Sequence, residues 1–122
     1  MIDGIDDHFA KVLPIVTALR RDLHTHPELS LKEHETGCKV RRHLAGLPGI
    51  RVLPSLMGTD VVAILNENTE GRCIALRADM DALPIEEDTD PAIVPYRSIV
   101  PGVMHACGHD GHVAVLVGTA MV

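Results

Sequence analysis

The sequence predicts a layered α/β domain. Three observations carry that expectation: an N-terminal run with helical apolar periodicity, short strand-like apolar runs after residue 50, and a closing apolar segment rich in small residues. Helices and strands of this kind bury their apolar faces against one another, and packed layers are the stable way to do so. A length of 122 residues is that of one domain or part of one.

The first element spans Asp6–Arg21. Phe9, Val12, Leu13, Val16 and Leu19 recur there at three- and four-residue steps, continued by Leu23, which is a helical stripe. Pro14 inside it marks either a kink or a late helix start. His24–Ser30, with Pro27 in its middle, reads as a turn. Glu33–Leu44 predicts a second amphipathic helix, with Val40 and Leu44 on its apolar face; Gly46 and the Pro48-Gly49 pair end it. Ile50–Leu53 and Asp60–Leu65 predict two short strands around a loop containing Gly58, and Asn66–Gly71 is a polar turn. Arg72–Ala78 is the strongest strand expectation. Its unbroken Cys73-Ile74-Ala75-Leu76 run suits a sheet covered on both faces. Asp79–Thr89 leaves that strand as an acidic loop. Residues 90–102 hold Pro91, Pro95 and Pro101 and cannot form a long regular element. Val113–Val122 predicts a helix buried nearly all round. The sequence stops inside that apolar stretch with no capping glycine and no basic last turn, so the expectation is a piece of a larger domain.

Composition narrows the function. Apolar residues make up 46% and charged residues 23%, ordinary globular usage that excludes a disordered chain or a fibre. A net charge of −6 repels phosphate backbones and anionic lipid, so neither nucleic acid nor membrane is an expected partner. Phe9 and Tyr96 are the whole aromatic complement, which leaves no platform for stacking bases. Arg20–Arg21 and Lys39–Arg42 read as solvated helix faces. Cys38, Cys73 and Cys107 are odd in number and widely spaced, so a reducing, cytoplasmic setting is expected rather than a disulfide framework. Cys38 and Cys73 read as small buried hydrophobes. The first seven residues are acidic and lack the apolar stretch of a signal peptide. The longest apolar run, Val113–Val122, is far short of the roughly 20 residues a membrane span needs.

Groups capable of chemistry gather in three places. The densest is His105-Ala-Cys107-Gly-His109-Asp110-Gly-His112, where five of eight residues are metal-ligand types. In extended backbone His105, Cys107 and His109 share one side, leaving Asp110 and His112 pointing away until a helix begins. Thiolate with imidazole suits zinc and its borderline neighbours, although the spacing is not that of a zinc finger. The plainer reading is a buried cysteine with surface histidines at a helix start. The second place is Arg77–Pro84, at the exit of the expected strand, where ligands gather in open α/β sheets. Asp79 and Asp81 there either bind metal, or hold a ligating histidine in one tautomer, or cap backbone N–H groups of an acidic turn. The third is His24 and His26. With no carboxylate near them in sequence, a local turn packed under the sheet is preferred over a chelating pair. Glu86-Glu87 offers a general base but reads as a solvated loop.

Three segments in order carry a resemblance: Arg20-Arg-Asp-Leu-His-Thr-His-Pro-Glu-Leu-Ser30, Arg77-Ala-Asp-Met-Asp-Ala-Leu-Pro84, and Gly102-Val-Met-His-Ala-Cys-Gly-His-Asp-Gly-His112. From Arg20 to its end the chain resembles the metal-dependent amidohydrolases that include hippurate hydrolase, N-acyl-amino-acid aminoacylases and plant auxin–amino-acid conjugate hydrolases, within the aminoacylase and zinc carboxypeptidase superfamily. The resemblance implies a zinc-exopeptidase-like α/β sandwich. Residues 1–122 would be the N-terminal part of its catalytic domain, without the inserted dimerisation domain and the C-terminal half. It implies a homodimer and two divalent ions, zinc, manganese, cobalt or nickel, sharing one site. It places metal ligands at Cys107 and His109, and at Asp81 the catalytic-side aspartate that orients ligands. Asp79 stands where the wider superfamily has a histidine ligand. Asp110 corresponds loosely to a metal-bridging aspartate whose part Cys107 and His109 take over in this subfamily. With Asp79 and Asp110, His105 and His112 are candidates to support the ligands rather than bind the ion. The family's general base is a glutamate in a Glu-Glu pair further along, absent from this chain. Asp88–Ser98 is longer and richer in proline than the family pattern, which alters the substrate-side wall, and Thr25 stands where a basic residue is common. The implied reaction is hydrolysis of an N-acyl amino acid to a carboxylate and a free amine, with the 122-residue chain alone catalytically silent. The competing expectation is a non-enzymatic metal-binding or thiol-sensing module centred on Cys107.

Overall fold

The structure is a computed structural model that describes residues 5–122; the acidic start read from Met1 lies mostly outside them. Its elements are α1 (Ile5–Thr25), α2 (His34–Ala45), β1 (Ile50–Val52), β2 (Ala63–Leu65) and α3 (His109–Met121). The architecture is α/β, as the sequence predicts. The first helix runs unbroken through Pro14 and takes in His24 at its last turn. Asp6 and Asp7 at its start and His24 at its end complement the helix dipole. Leu19 and Leu23 of α1, Val40 and Leu44 of α2, and Val113 and Val117 of α3 form one buried cluster. Two glycines allow close approach, Gly118 between α3 and α1 and Gly37 between α2 and the connection from β1 to β2. A Cβ on Gly118 would lie 3.1 Å from Val16 Cγ1, and one on Gly37 would lie 2.6 Å from the Thr59 carbonyl oxygen.

The two strands pair antiparallel, with Ile50 opposite Leu65 and Val52 opposite Ala63. Arg41 ties α2 to their connection, donating to the Leu53 oxygen at 2.7 Å and the Asp60 oxygen at 2.5 Å. The Asp60 carboxylate gathers the Ser55 hydroxyl and the Met57 and Leu56 N–H groups, and these bonds hold its pKa at about 2. Beyond the hairpin, isolated bridges do the stitching: Leu29 pairs with Ala82, and Leu83 with Met104. They bring the chain after α1, the acidic loop and the approach to α3 side by side.

Four sequence expectations fail here. Arg72–Ala78 forms no strand, and Ile74 and Leu76 are 82% and 60% exposed. A strand needs a ladder, and among the described residues none pairs with this segment. Cys73 is exposed for the same reason. Cys38 is exposed because it lies off the α2 face that buries Thr36, Gly37, Val40 and Leu44. Finally, α3 is buried on one side rather than all round. Val113, Ala114, Val117 and Gly118 face inward at helical spacing, while Val115 is 69% exposed.

Candidate metal centre

The His105–His112 run is not extended. Ala106 and Cys107 sit in a turn, closed by the Gly108 N–H to the His105 oxygen at 3.3 Å. Gly108 then adopts φ 76°, a left-handed conformation that glycine takes without penalty, and caps α3. The reversal drops His109 and Asp110 into the first helical turn, where consecutive side chains diverge by about 100°. The two neighbours therefore serve different partners.

His109 faces the acidic loop. Its Nδ1 lies 3.0 Å from Asp81 Oδ1 and 2.9 Å from the Asp81 carbonyl oxygen. Asp81 is set there by the bridges just beyond it, through the Ala82 N–H to the Glu28 oxygen at 2.8 Å and the Leu83 N–H to the Met104 oxygen at 3.0 Å. With Nδ1–H donated to Asp81, Nε2 is the nitrogen left for a metal, and a carboxylate behind a ligating histidine is the usual way to fix that tautomer. Cys107 carries a free, exposed thiol. The donor set thus fits part of a centre for a borderline divalent ion. Among the described residues no three His, Cys, Asp or Glu side chains converge as a metal-binding group.

The other sequence candidates take distinct places. His112 stacks loosely on His109, with ring centroids 5.9 Å apart. His105 is buried, and among the described residues neither ring nitrogen has a hydrogen-bond partner. Burial pushes its pKa down; Asp110 and Asp81 oppose that, while His24 and His109 add to it. Asp79 is at the surface, accepting from Arg77 Nη2 at 2.7 Å, and Arg77 is 87% exposed. His26 pairs with Asp22 on the exposed side of α1.

Asp110 is fully buried and takes Arg20 Nε and His24 Nδ1, each at 2.8 Å, on one carboxylate oxygen. The other ring nitrogen of His24 lies 3.2 Å from Glu87 Oε1. These contacts correct three expectations. Arg20 is not simply a solvated residue, since it pairs with Asp110 and lies 5.2 Å over the Tyr96 ring. His24 does have carboxylate partners, but they stand 86 and 63 residues away. Glu87 is 3% exposed rather than solvated, whereas Glu86 stays outside and accepts from the Gly102 N–H. Sequence proximity, the only guide available without a fold, could not have joined these groups.

Burial works against a charged Glu87, yet the Ser98 N–H at 2.6 Å, His24 and the Thr89 hydroxyl together hold its pKa below the ordinary 4.5. A depressed carboxylate stabilises the fold above its unfolded value and loses that contribution as pH falls through the folded one. Wild type is therefore expected to be more stable than Glu87→Gln at pH 7. The gap should narrow as pH drops below 4.5, which urea denaturation at pH 7 and pH 3 checks. A gap that stays constant with pH rules out this role for the carboxylate charge.

Comparisons with known proteins bear on the same residues. Residues 75–122, which contain Asp81, Cys107 and His109, match the family described as Peptidase family M20/M25/M40. An N-acetylcysteine deacetylase of Bacillus subtilis is 51% identical over 106 residues, covering 85% of this chain and 27% of that protein. A Rhodococcus jostii protein named as a glutamate–cysteine ligase is 52% identical over 103 residues, covering 84% of this chain but 12% of that protein, so its name describes mostly other sequence. Among solved structures, a Bacillus subtilis protein described as a dinuclear metal-binding peptidase of the M20 family superposes with TM-score 0.83 at 46% identity, covering 92% of this chain and 31% of that one. The chain thus spans less than a third of the length of each of these proteins. By sequence and by fold the chain is similar to members of peptidase family M20/M25/M40.

Proposed function

We propose that this chain supplies the Cys107–His109 part of a two-ion centre that hydrolyses the amide bond of N-acyl amino acids. The observation that carries the reading is the Asp81–His109 hydrogen bond, which leaves His109 Nε2 for a metal, with a free thiol two positions earlier in the sequence. The substrate class follows the name of the deacetylase relative, and the pair of ions follows the description of the solved one. A divalent ion bound there supplies Lewis acidity toward an amide carbonyl and acidifies a water for attack near neutral pH. Cys107 and His109 hold it, and Asp81 orients His109. The remaining ligands, the general base and a dimerisation domain belong to sequence outside residues 1–122, of which this chain is the N-terminal catalytic part. A reducing, cytoplasmic compartment keeps Cys107 out of disulfides and available to a metal; among the described residues no helix is long and apolar enough to cross a membrane.

The test is a chimera. The matched segment of the Bacillus subtilis deacetylase is replaced by this chain, and N-acetylcysteine turnover is measured with added zinc, manganese or cobalt. Turnover above a metal-only blank, lost on Cys107→Ser, is expected, while the 122-residue chain alone stays at the blank. A folded chimera with no turnover, or turnover indifferent to Cys107→Ser, overturns the proposal.

A further inference from the structure

We propose that His24 is a positioning residue for the metal centre: by bridging Asp110 and Glu87 it sets His109 against Asp81. The inference rests on the metal-centre reading above. Neither His24 nor Glu87 belongs to the candidate ligand set.

The two residues of the His109–Asp81 pair come from separate segments, α3 and the acidic loop, 28 positions apart. A hydrogen bond of 3.0 Å between them is kept only if both segments are fixed. His24 holds one with each ring nitrogen. Nδ1 meets Asp110, the residue after His109 in the first turn of α3, at 2.8 Å. Nε2 meets Glu87, six residues after Asp81 on the acidic loop, at 3.2 Å. Each nitrogen faces a carboxylate oxygen, and a ring carrying hydrogen on both satisfies both.

The anchors are themselves anchored. Glu87 accepts the Ser98 N–H and the Thr89 hydroxyl, while Arg97 donates to the Glu87 and Thr89 carbonyl oxygens at 2.8 and 2.7 Å. Asp110 is also gripped by Arg20. Position 24 sits in the last turn of the longest described helix, with its side chain 8% exposed, so the bridge has a rigid base. The N-cap of α3 is Gly108, which offers no side-chain cap to aim the helix start. The Asp110 carboxylate then tethers that turn independently of the His109–Asp81 contact.

The experiment uses the 122-residue chain with cobalt(II) alone, following the near-ultraviolet thiolate-to-cobalt band through a titration. Wild type, Cys107→Ser, His24→Leu, His24→Asn and Glu87→Gln are compared, with far-ultraviolet circular dichroism restricting the comparison to folded proteins. The expected result is cobalt binding about 10–100-fold weaker in His24→Leu, the cost usual for losing a group that orients a ligand. His24→Asn, which keeps a donor toward Asp110, is expected to recover part of that loss. A metal-free readout goes with it: long-range proton–nitrogen NMR should show His109 protonated at Nδ1 in wild type and in mixed tautomers in His24→Leu. Should His24→Leu fail to fold, His24→Asn and Glu87→Gln decide, each expected to weaken cobalt binding by several-fold. A Cys107-dependent band that is unchanged in every folded variant overturns this inference alone. A wild-type chain with no Cys107-dependent band overturns the metal-centre reading and this inference with it.

Discussion

Asp110→Ala is expected to cost about 3–5 kcal/mol of folding stability, the range for removing one partner of a buried ion pair. The whole stability of a small domain is about 5–15 kcal/mol, so the variant should melt far below wild type or fail to fold. The size follows from what is left behind. Asp110 is 0% exposed, and its Oδ2 is the shared acceptor of Arg20 and His24. Alanine leaves a cavity with two donors aimed into it. The His24 side chain, 8% exposed, has little access to water, whereas Arg20, at 36%, recovers part of its hydration. That partial recovery places the cost nearer the lower end of the range. The other carboxylate oxygen of Asp110 has no hydrogen-bond partner among the described residues, so the native pair already carries a desolvation penalty. Asp110→Asn, which keeps the shape and one acceptor oxygen, is therefore expected to be milder than alanine. Urea midpoints of the three proteins check the order. An alanine variant with the wild-type midpoint would show that the pairing merely balances the cost of burying it.

How much of this was legible beforehand depends on the range over which each feature is encoded. The helices were readable because helical burial is written in local spacing. Leu19 and Leu23, Val40 and Leu44, and Val113 and Val117 are each four residues apart and all reach the core. The hairpin strands were readable as short apolar runs, each assigned a little too long. Arg72–Ala78 misled for the same physical reason. Apolar content records that a segment wants cover, not that a partner strand is present to give it, and no described residue pairs with it. Cys38 misled because a residue's average burial says nothing about which helix face it occupies. At the site, the residue types were visible and their geometry was not. Alternation along an extended run put Cys107 and His109 on one side, but Gly108 turns the chain between them. The network of Arg20, His24, Glu87 and Asp110 left no local trace, because each link joins segments more than 60 residues apart.

The second large effect concerns metal binding itself. In the cobalt titration, Cys107→Ser and His109→Ala are both expected to remove the thiolate band, whereas Asp81→Ala should weaken binding by about 10–100-fold and leave the band's shape intact. The difference follows from position. A two-ligand site has no redundancy: serine is a far poorer ligand than thiolate for a borderline ion, and alanine at 109 leaves the sulfur alone. Asp81 does not bind the ion in this geometry. It accepts the His109 Nδ1–H at 3.0 Å and so keeps Nε2 bare and aimed. Without it the ring still has a backbone acceptor, since the Asp81 carbonyl oxygen lies 2.9 Å from the same nitrogen. That second acceptor is why the loss should be partial. What alanine removes is the negative charge behind the imidazole, which raises its basicity as a ligand. Asp81→Asn separates the two contributions, because it keeps a side-chain acceptor while dropping the charge. Binding in Asp81→Asn near that of wild type would make orientation the larger part, and binding near that of alanine would make it the charge. Asp81→Ala binding cobalt as tightly as wild type would mean that His109 is aimed by its helix alone.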